Sequence, residues 1–371
     1  MKPTAKSSST LRERTATKPN KLNARTDMTS KHKKTLLFSS IAIVAVMAIG
    51  ALTAHLLFGT ILHNDEATYV YIDDDDDIDS VCTKVDAAAR PFTMQGFRLL
   101  AKFSGYDDRI RTGRYEVTPD LSMLRLFRRL RNHEQQPINI VVPSVRTIPQ
   151  LAGRLADKLM IDSVALVSTF SDTTSLKQLG YTKETLPALF IPNTYEVRWD
   201  ISADDLLQRF AKENQRFWTE ERSAKANQLG LTHEEVVTLA SIVDSESAYS
   251  PEKPTIAGLY LNRLHKGMLL QSDPTVIFAI GDFSIRRVLG SDLSIDSPYN
   301  TYKYKGLPPG PIRIATIDGI DAVLNAQTHD FLYMCAKEDF SGSHNFATTY
   351  SDHLANARRY VKALNERNIK R

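Results

Sequence analysis

One apolar segment near the N-terminus most constrains how this chain can fold. From Thr35 to Leu62 there are 28 residues without Lys, Arg, Asp or Glu, and His55 is the only ionisable side chain. About 20 apolar residues are enough to cross a bilayer as an α-helix. The segment therefore predicts a transmembrane helix over residues 35–62. A secretory signal peptide is the alternative, but its apolar region is usually about 7–15 residues long and rarely follows so long a polar leader.

Charges on either side of this segment predict its orientation. Residues 1–34 hold ten Lys or Arg against two acidic residues, whereas Asp65 and Glu66 follow the segment. The positive-inside rule places the N-terminus in the cytoplasm and exports the rest of the chain. The basic stretch lacks interleaved aromatic residues, which favours a topological role over nucleic-acid binding. It has few apolar side chains, so we expect 1–34 to be a disordered cytoplasmic tail.

The sequence pattern of the exported part predicts an α+β fold. Strand and helix patterns alternate over residues 66–142, which we interpret as a small domain, and a larger mixed domain follows over 143–371. Five aspartates at 73–77 could suggest calcium, but the alternating ligand spacing of a calcium loop is missing, so a solvated turn is favoured. Cys82 and Cys335 fall in different predicted domains, which is compatible with a disulfide without predicting one.

A helix in the larger domain carries two carboxylates at its end. Thr232 and Glu235 form a capping-box signature, and an apolar stripe follows at helical spacing. Asp244 and Glu246 come near the edge of that stripe. A carboxylic acid beside an apolar surface can stay protonated near neutral pH, which suits it to protonate a glycosidic oxygen. Surface helices also end in plain glutamates, so the helix alone does not choose between these readings.

Six motifs in a fixed order favour a catalytic role for the carboxylate over a plain surface glutamate. They are ASIVxxE (240–246), LNRL (261–264), GMxLQxDPT (267–275), YNTY (299–302), GLPPGPI (306–312) and GSHNF (342–346). In these motifs the chain resembles the MltG or YceG-like family of endolytic murein transglycosylases, over about residues 66–368.

The resemblance implies a single-pass inner-membrane anchor, a small LysM-like α+β domain and a mixed α+β catalytic domain exposed to the periplasm. The resemblance assigns Glu246 as the catalytic acid, and it implies an enzyme that needs no metal or organic cofactor. The position two residues earlier, often Glu in relatives, is Asp244 here, which makes Asp244 the alternative carboxylate. The implied reaction cleaves peptidoglycan strands between MurNAc and GlcNAc and leaves 1,6-anhydro ends, because the C6 hydroxyl of the same sugar attacks in place of water. Peptidoglycan synthases are the implied protein partners.

The remaining motifs offer candidates for binding the glycan. Side chains that can hydrogen-bond or stack on sugars are Gln271, Asp273, Thr275, Tyr299, Asn300 and Tyr302. Asp273 precedes a proline and could equally shape a turn. Arg263 could pair with Asp273 or Glu246, or bind a muramyl carboxylate. His344 is interpreted as a structural hydrogen-bonding residue.

Two other functions remain compatible with the sequence. A catalytically weak scaffold would bind strands and recruit synthesis enzymes without cutting. A glycoside hydrolase would use Asp244 or Asp273 beside Glu246 as its second carboxylate and would leave reducing ends.

Overall fold

The N-terminal apolar segment forms one long helix, α1 (Lys21–Phe58), in the computed structural model, which describes residues 21–60, 66–88, 94–285 and 287–367. Within α1, His32–Phe58 contains an 18-residue window with a mean hydropathy of 2.4 and is long and apolar enough to cross a membrane. From Leu36 to Leu52 its large apolar side chains are more than half exposed, between 51% for Leu52 and 72% for Phe38. These side chains need a non-aqueous covering that the described chain does not supply.

The ends of α1 differ from the predicted span of 35–62. The helix begins at Lys21, so the second part of the tail expected to be disordered, residues 21–34, is helical, whereas residues 1–20 lie outside the described residues. The sequence from Lys21 to Lys34 contains no Pro or Gly, so nothing stops a helix nucleated by the apolar segment from extending backwards. At its other end α1 stops at Phe58.

The chain forms two compact units. The first comprises residues 1–68, 77–110 and 117–132, and the second comprises 69–76, 111–116 and 133–371. Besides α1, the helices of the first unit are α2 (Ile78–Ala88), α3 (Met94–Ser104) and α4 (Met123–Asn132). The rings of Phe97, Tyr106 and Phe127 meet edge to face with centroids 5.5–6.4 Å apart, which gives this unit an aromatic core.

Strands predicted for the small domain belong instead to the larger unit. Strands β1 (Thr68–Ile72) and β2 (Gly113–Val117) pair with each other, and most of both lies in the second unit. Strand β3 (Ile138–Val141) pairs antiparallel with β4 (Thr194–Val197), over 50 residues further on. Strand β3, which lies in the region 66–142, therefore has its partner outside that region. A strand's partner is set by long-range packing, which local patterning does not report.

The larger unit contains both helices and short strand pairs, in agreement with the mixed α+β prediction, and helices form most of it. They are α5 (Ile148–Ala156), α6 (Ser163–Ser171), α7 (Thr173–Gln178), α8 (Ala203–Phe217), α9 (Glu220–Leu229), α10 (His233–Glu246), α11 (Lys253–His265), α12 (Asp273–Ile280), α13 (Ile317–Leu324) and α14 (Tyr350–Glu366). A hairpin of β5 (Tyr333–Ala336) and β6 (His344–Ala347) precedes α14.

Two apolar cores hold this unit together. One lies around β3, β4 and α5–α8, and the other surrounds α10, α11 and α13. The segment that leads to β4 begins with a 3₁₀ turn at Leu186–Leu189. Cys82 and Cys335 are both free.

Candidate active site

Helix α10 brings Glu246 to the edge of the second core. The predicted capping box is present: the Thr232 hydroxyl accepts from the Glu235 N–H at 3.2 Å, and the Glu235 carboxylate accepts from the Thr232 N–H at 2.9 Å. The apolar stripe that follows is fully buried. Because the helix ends at Glu246 and Ser247 is extended, Glu246 is the last side chain that α10 positions.

One oxygen of the Glu246 carboxyl group is held by two hydroxyls. Tyr260, on α11, donates to Oε1 at 2.7 Å, and Ser272, directly before α12, donates to the same atom at 2.5 Å. Among the described residues Oε2 has no hydrogen-bond partner. A protonated carboxyl group carries its proton on the oxygen that is not accepting. The arrangement therefore leaves Oε2 as the donor atom of an acid.

The surroundings of Glu246 favour its protonated form. Burial raises the pKa of this carboxyl group, and the negative charge of Asp273 raises it further, while the hydrogen bonds from Ser272 and Tyr260 and the nearby His344 oppose the rise. Burial and the charge on Glu246 hold the Tyr260 pKa well above its usual value, so that Tyr260 remains a donor.

Glu246 opens onto a cavity of about 250 Å³. The polar side chains lining it include Glu246, Arg263, Gln271, Asp273, Tyr302 and His344. Four of the predicted glycan-binding residues are thus brought to one cavity with the acid. A concave site with a few polar groups around one perturbed acid is the usual form of an active site.

Two of these residues are linked at the cavity wall. The Tyr302 hydroxyl donates to Asp273 Oδ1 at 2.6 Å, and Asp273 is exposed at the start of α12. Burial, together with this hydrogen bond, raises the pKa of Tyr302 far above its usual value. Gln271 is exposed beside them in the left-handed region, at φ +52°. A non-glycine residue held there carries backbone strain, which is common where a side chain is presented to a ligand.

Arg263 has a partner set that the sequence left open. Its guanidinium donates to the backbone carbonyls of Leu332 at 2.6 Å and Leu270 at 2.7 Å, and reaches Gln271 Oε1 at 3.4 Å. It forms an ion pair with neither Asp273 nor Glu246 within the described chain. Arg263 therefore joins the β5 strand region to the loop that carries Gln271 and shapes the cavity wall.

Three predicted glycan-binding residues lie outside the cavity lining. Thr275 is fully buried and shares hydrogen bonds with the Ser272 carbonyl and the Thr301 hydroxyl. Asn300 is also fully buried, and its amide donates to the carbonyls of Leu293 and Ile295. The predicted contacts of Thr275 and Asn300 with glycan are therefore corrected, because their polar groups satisfy the loops around the site.

The third of these residues is Tyr299. Its ring packs 4.8 Å from that of Phe278, centroid to centroid, and burial raises its pKa to about 12. Its place in the loop supports the site rather than lining it.

The alternative carboxylate, Asp244, is buried and ion-paired. Its Oδ1 lies 2.7 Å from Lys253 Nζ and accepts from the Thr316 hydroxyl at 2.9 Å, and its Oδ2 accepts from the Thr316 N–H at 2.6 Å. A Cβ on Gly319 would lie 2.5 Å from this carboxylate, so the packing leaves no space for a sugar. Asp244 is a structural anchor between α10, α11 and α13.

The sequence did not single out several residues that the site uses. Ser272 stands at a variable position within GMxLQxDPT, and Tyr260 precedes LNRL, so neither had a signal beyond its neighbours. Glu252 accepts from His344 twice, from the backbone N–H and from Nδ1, both at 2.8 Å. His344 thus has the structural role predicted for it, and it also lines the cavity.

The fold and the site define a mixed α+β protein with a buried carboxyl group at the end of an apolar helix, which is a candidate general acid. The YceG-like family matches residues 70–359, and the chain belongs to that family.

Curated relatives agree with this assignment. The chain is 29% identical over 290 residues to the endolytic murein transglycosylase of Bacillus subtilis, across 74% of this chain and 79% of that protein. It is 26% identical over 302 residues to the endolytic murein transglycosylase of Streptococcus pneumoniae strain D39, across 72% of this chain and 53% of that protein.

A solved structure supports the fold. The crystal structure of a YceG-like protein from Listeria monocytogenes matches with a TM-score of 0.53 and 24% identity, and covers 79% of this chain and 99% of that one.

Proposed function

We propose that this protein is a peptidoglycan lytic transglycosylase that cuts nascent glycan strands internally, between MurNAc and GlcNAc, and leaves 1,6-anhydro-MurNAc ends. The observation that carries the proposal is the state of Glu246: one oxygen held by two hydroxyls, the other without a partner in the described chain, and a raised pKa, all within a polar cavity. Relatives named endolytic murein transglycosylases supply the substrate class.

The reaction needs a single carboxyl group used twice. Glu246 Oε2 gives its proton to the glycosidic oxygen as the bond from C1 of MurNAc breaks, and the electron pair of that bond leaves with the GlcNAc 4-oxygen. The MurNAc C6 hydroxyl then attacks C1 and returns its proton to the Glu246 carboxylate. Because the attacking group belongs to the same sugar, no water has to be activated. The hydroxyls of Tyr260 and Ser272 stabilise the carboxylate between the two steps.

A hydrolase is the competing assignment, and Asp273 is the residue that favours it. Asp273 is exposed in the same cavity as Glu246, whereas Asp244 is buried in an ion pair with Lys253 and a hydrogen bond with Thr316. A second carboxylate of this kind can activate water, which would yield reducing ends. The hydrogen bond from Tyr302 fixes the position of the Asp273 side chain at the cavity wall, which favours a role in holding substrate.

Mass spectrometry of strand ends separates these functions. Full-length protein in detergent micelles would be incubated with uncrosslinked glycan strands, beside its Glu246→Gln variant. New 1,6-anhydro ends from the parent alone are the expected result. Reducing ends would establish hydrolysis, and strand binding without new ends from either protein would establish the scaffold.

We further propose that α1 anchors the protein in the inner membrane with its N-terminus in the cytoplasm and its active site in the periplasm. The length and hydropathy of α1 and the basic residues before it support this orientation. An anchor confines the site to the membrane surface and raises its local concentration near new strands. The region 66–142, proposed as a LysM-like module, would hold strands there, close to peptidoglycan synthases.

A cellular measurement tests that placement. Overproduction of the parent should shorten the average glycan strand, and overproduction of Glu246→Gln should not. Equal strand lengths in both strains would contradict the proposed role in ending strand growth.

A further inference from the structure

A second cavity in the larger unit is lined by arginines and is separate from the one at Glu246. Its volume is about 620 Å³, more than twice that of the acid's cavity, and Arg146, Arg154 and Arg313 line it together with Gly153 and Asp157. Within the described chain none of the three arginines forms an ion pair with a carboxylate, Asp157 included. Three guanidinium groups gathered without an acidic partner create a local positive potential that attracts an anion.

The three arginines are held in different ways. Arg313 is half-buried, and its guanidinium donates to the hydroxyl of Ser144 at 3.0 Å and to the Ser144 carbonyl at 3.2 Å. Burial lowers the Arg313 pKa; the charge of Asp244 opposes this fall, and the charge of Arg146 adds to it by a smaller amount. Arg146 lies over the Phe283 ring, and Arg154 is exposed on α5.

Gly153 gives independent support for a ligand. It lies inside α5, where glycine costs about 1 kcal/mol relative to alanine. A Cβ at this position would have no atom within 4 Å, so packing within the protein does not require a glycine. The missing side chain leaves the helix surface open at the cavity, which lets a ligand approach the backbone closely.

Neighbours of the arginine cavity contact helix α10, which carries Glu246. The N–H of Ile312, next to Arg313, donates to Ser241 Oγ at 3.0 Å. Ser241 comes five residues before Glu246 on α10, about 7.5 Å along the helix axis. A small cavity of about 100 Å³ also contains Arg146 together with Ser245 and Pro274, the chain neighbours of Glu246 and Asp273.

We propose that the cavity lined by Arg146, Arg154 and Arg313 is a binding subsite for the carboxylates of stem peptides on the glycan strand being cut. The ligand's identity rests on the proposed function, since peptidoglycan is the substrate assumed. Arginine is suited to this role because its planar guanidinium pairs with a carboxylate through two parallel hydrogen bonds. An internal cutter must hold a strand on both sides of the scissile bond, and a charged contact beside the acid would fix the position of the strand.

Strand binding, measured without cutting, tests the subsite. The full-length chain carrying Glu246→Gln, in detergent micelles, would be titrated with lipid-free uncrosslinked strands that bear stem peptides. The same strands would be tested after their carboxylates are converted to methylamides. Adding Arg154→Gln should weaken binding of the unmodified strands about tenfold, as expected for loss of a charge-assisted hydrogen bond, and should leave binding of the amidated strands unchanged. Added salt should reduce the difference.

Two further variants distinguish the subsite from general effects of charge or folding. Arg216→Gln removes an equal charge from an exposed residue paired with Glu213, and it should bind both strands like the parent. Gly153→Leu fills the cavity without removing charge, so it should weaken binding while its unfolding midpoint does not fall.

Several outcomes would overturn the subsite. These are equal binding by Arg154→Gln and the parent, equal weakening by Arg216→Gln, or an equal loss of binding by Arg154→Gln for the amidated strands. Because the measurement does not use cleavage, a failure here leaves the transglycosylase proposal standing. Absence of cleavage in the strand-end experiment would likewise leave a positive binding result intact.

Discussion

Replacing Asp244 by Asn separates its two possible roles, because the structural and the catalytic roles predict opposite changes in stability and turnover. The Asp244 and Lys253 side chains are 2% and 7% exposed, and the ion pair joins α10 to α11. Burial lowers the Lys253 pKa, but the hydrogen bonds with Asp244 and Asp318 outweigh it and raise the pKa overall. Removing one partner of a buried pair costs about 3–5 kcal/mol.

The structure places the expected cost near the lower end of that range. Lys253 keeps Asp318 at 2.7 Å, and the Asn side chain can still accept from the Thr316 N–H. We therefore expect Asp244→Asn to lower the free energy of unfolding by about 3 kcal/mol, out of a usual total of about 5–15 kcal/mol. Turnover per folded molecule should change little, because the carboxylate has no access to the cavity at Glu246.

Urea unfolding of the full-length protein in micelles, followed by tryptophan fluorescence, measures this change. Trp218 stacks on His233 at the first turn of α10, with ring centroids 3.9 Å apart, so its emission reports on this helix. The matched control is Asp321→Asn, which breaks a partly exposed pair with Arg222 and should cost under about 1 kcal/mol.

A double variant completes the experiment. Asp244→Asn with Lys253→Met should lose less stability than the sum of the single changes, since no buried charge is then left alone. A loss of about 100-fold or more in turnover by Asp244→Asn, with unfolding unchanged, would refute the structural role and make Asp244 a candidate acid.

Three further changes concern the acid and its neighbours. The folded-state pKa of Glu246 is raised above its unfolded value near 4.5, so the parent loses about 1.4 kcal/mol of stability for each pH unit as the pH rises between those two pKa values. Glu246→Gln should therefore unfold at a higher urea concentration than the parent at about pH 8 but not at about pH 4. A lower urea midpoint for the variant at the alkaline pH would contradict the raised pKa. Ser272→Ala removes a hydrogen bond that lowers the Glu246 pKa. The variant should therefore cut strands more slowly, and the alkaline limb of its pH–rate profile should move to higher pH. A movement to lower pH would count against this contact. Glu252→Gln weakens the charge-assisted hold on His344 by about 1–3 kcal/mol and should raise KM more than it lowers kcat; an unchanged KM would remove His344 from the substrate cavity.

Local patterns predicted the elements well where all the necessary residues are close in sequence. The capping box at Thr232 and Glu235 and the stripe behind it define α10 without help from the rest of the chain. The strand at Thr68–Ile72 and the helix at Met123–Asn132 were likewise readable from residue type and spacing. Local patterns did not predict which strands pair, as for β3, whose partner β4 lies more than 50 residues further along the chain.

For single site residues, too, local patterns identified the residues, but only the tertiary structure shows which of them face the cavity. Gln271, Asp273, Tyr302 and Arg263 line the cavity at Glu246, and their roles in binding glycan stay a prediction. Thr275 and Asn300 come from the same motifs but are buried. Nothing in a short motif tells which of its polar side chains faces the cavity and which satisfies the loop.

By itself the sequence determined the apolar span, the helix that carries the acid and the family of the chain, because each depends on residues within a few turns of one another or on ordered motifs. Only the tertiary structure distinguishes the surroundings of Asp244 from those of Glu246. Two residues apart on one helix, they differ because Lys253 and Thr316 neutralise the first, whereas Tyr260 and Ser272 hold one oxygen of the second at a cavity. Those partners lie 9–72 residues away, and a carboxylate's protonation depends on what the fold brings beside it.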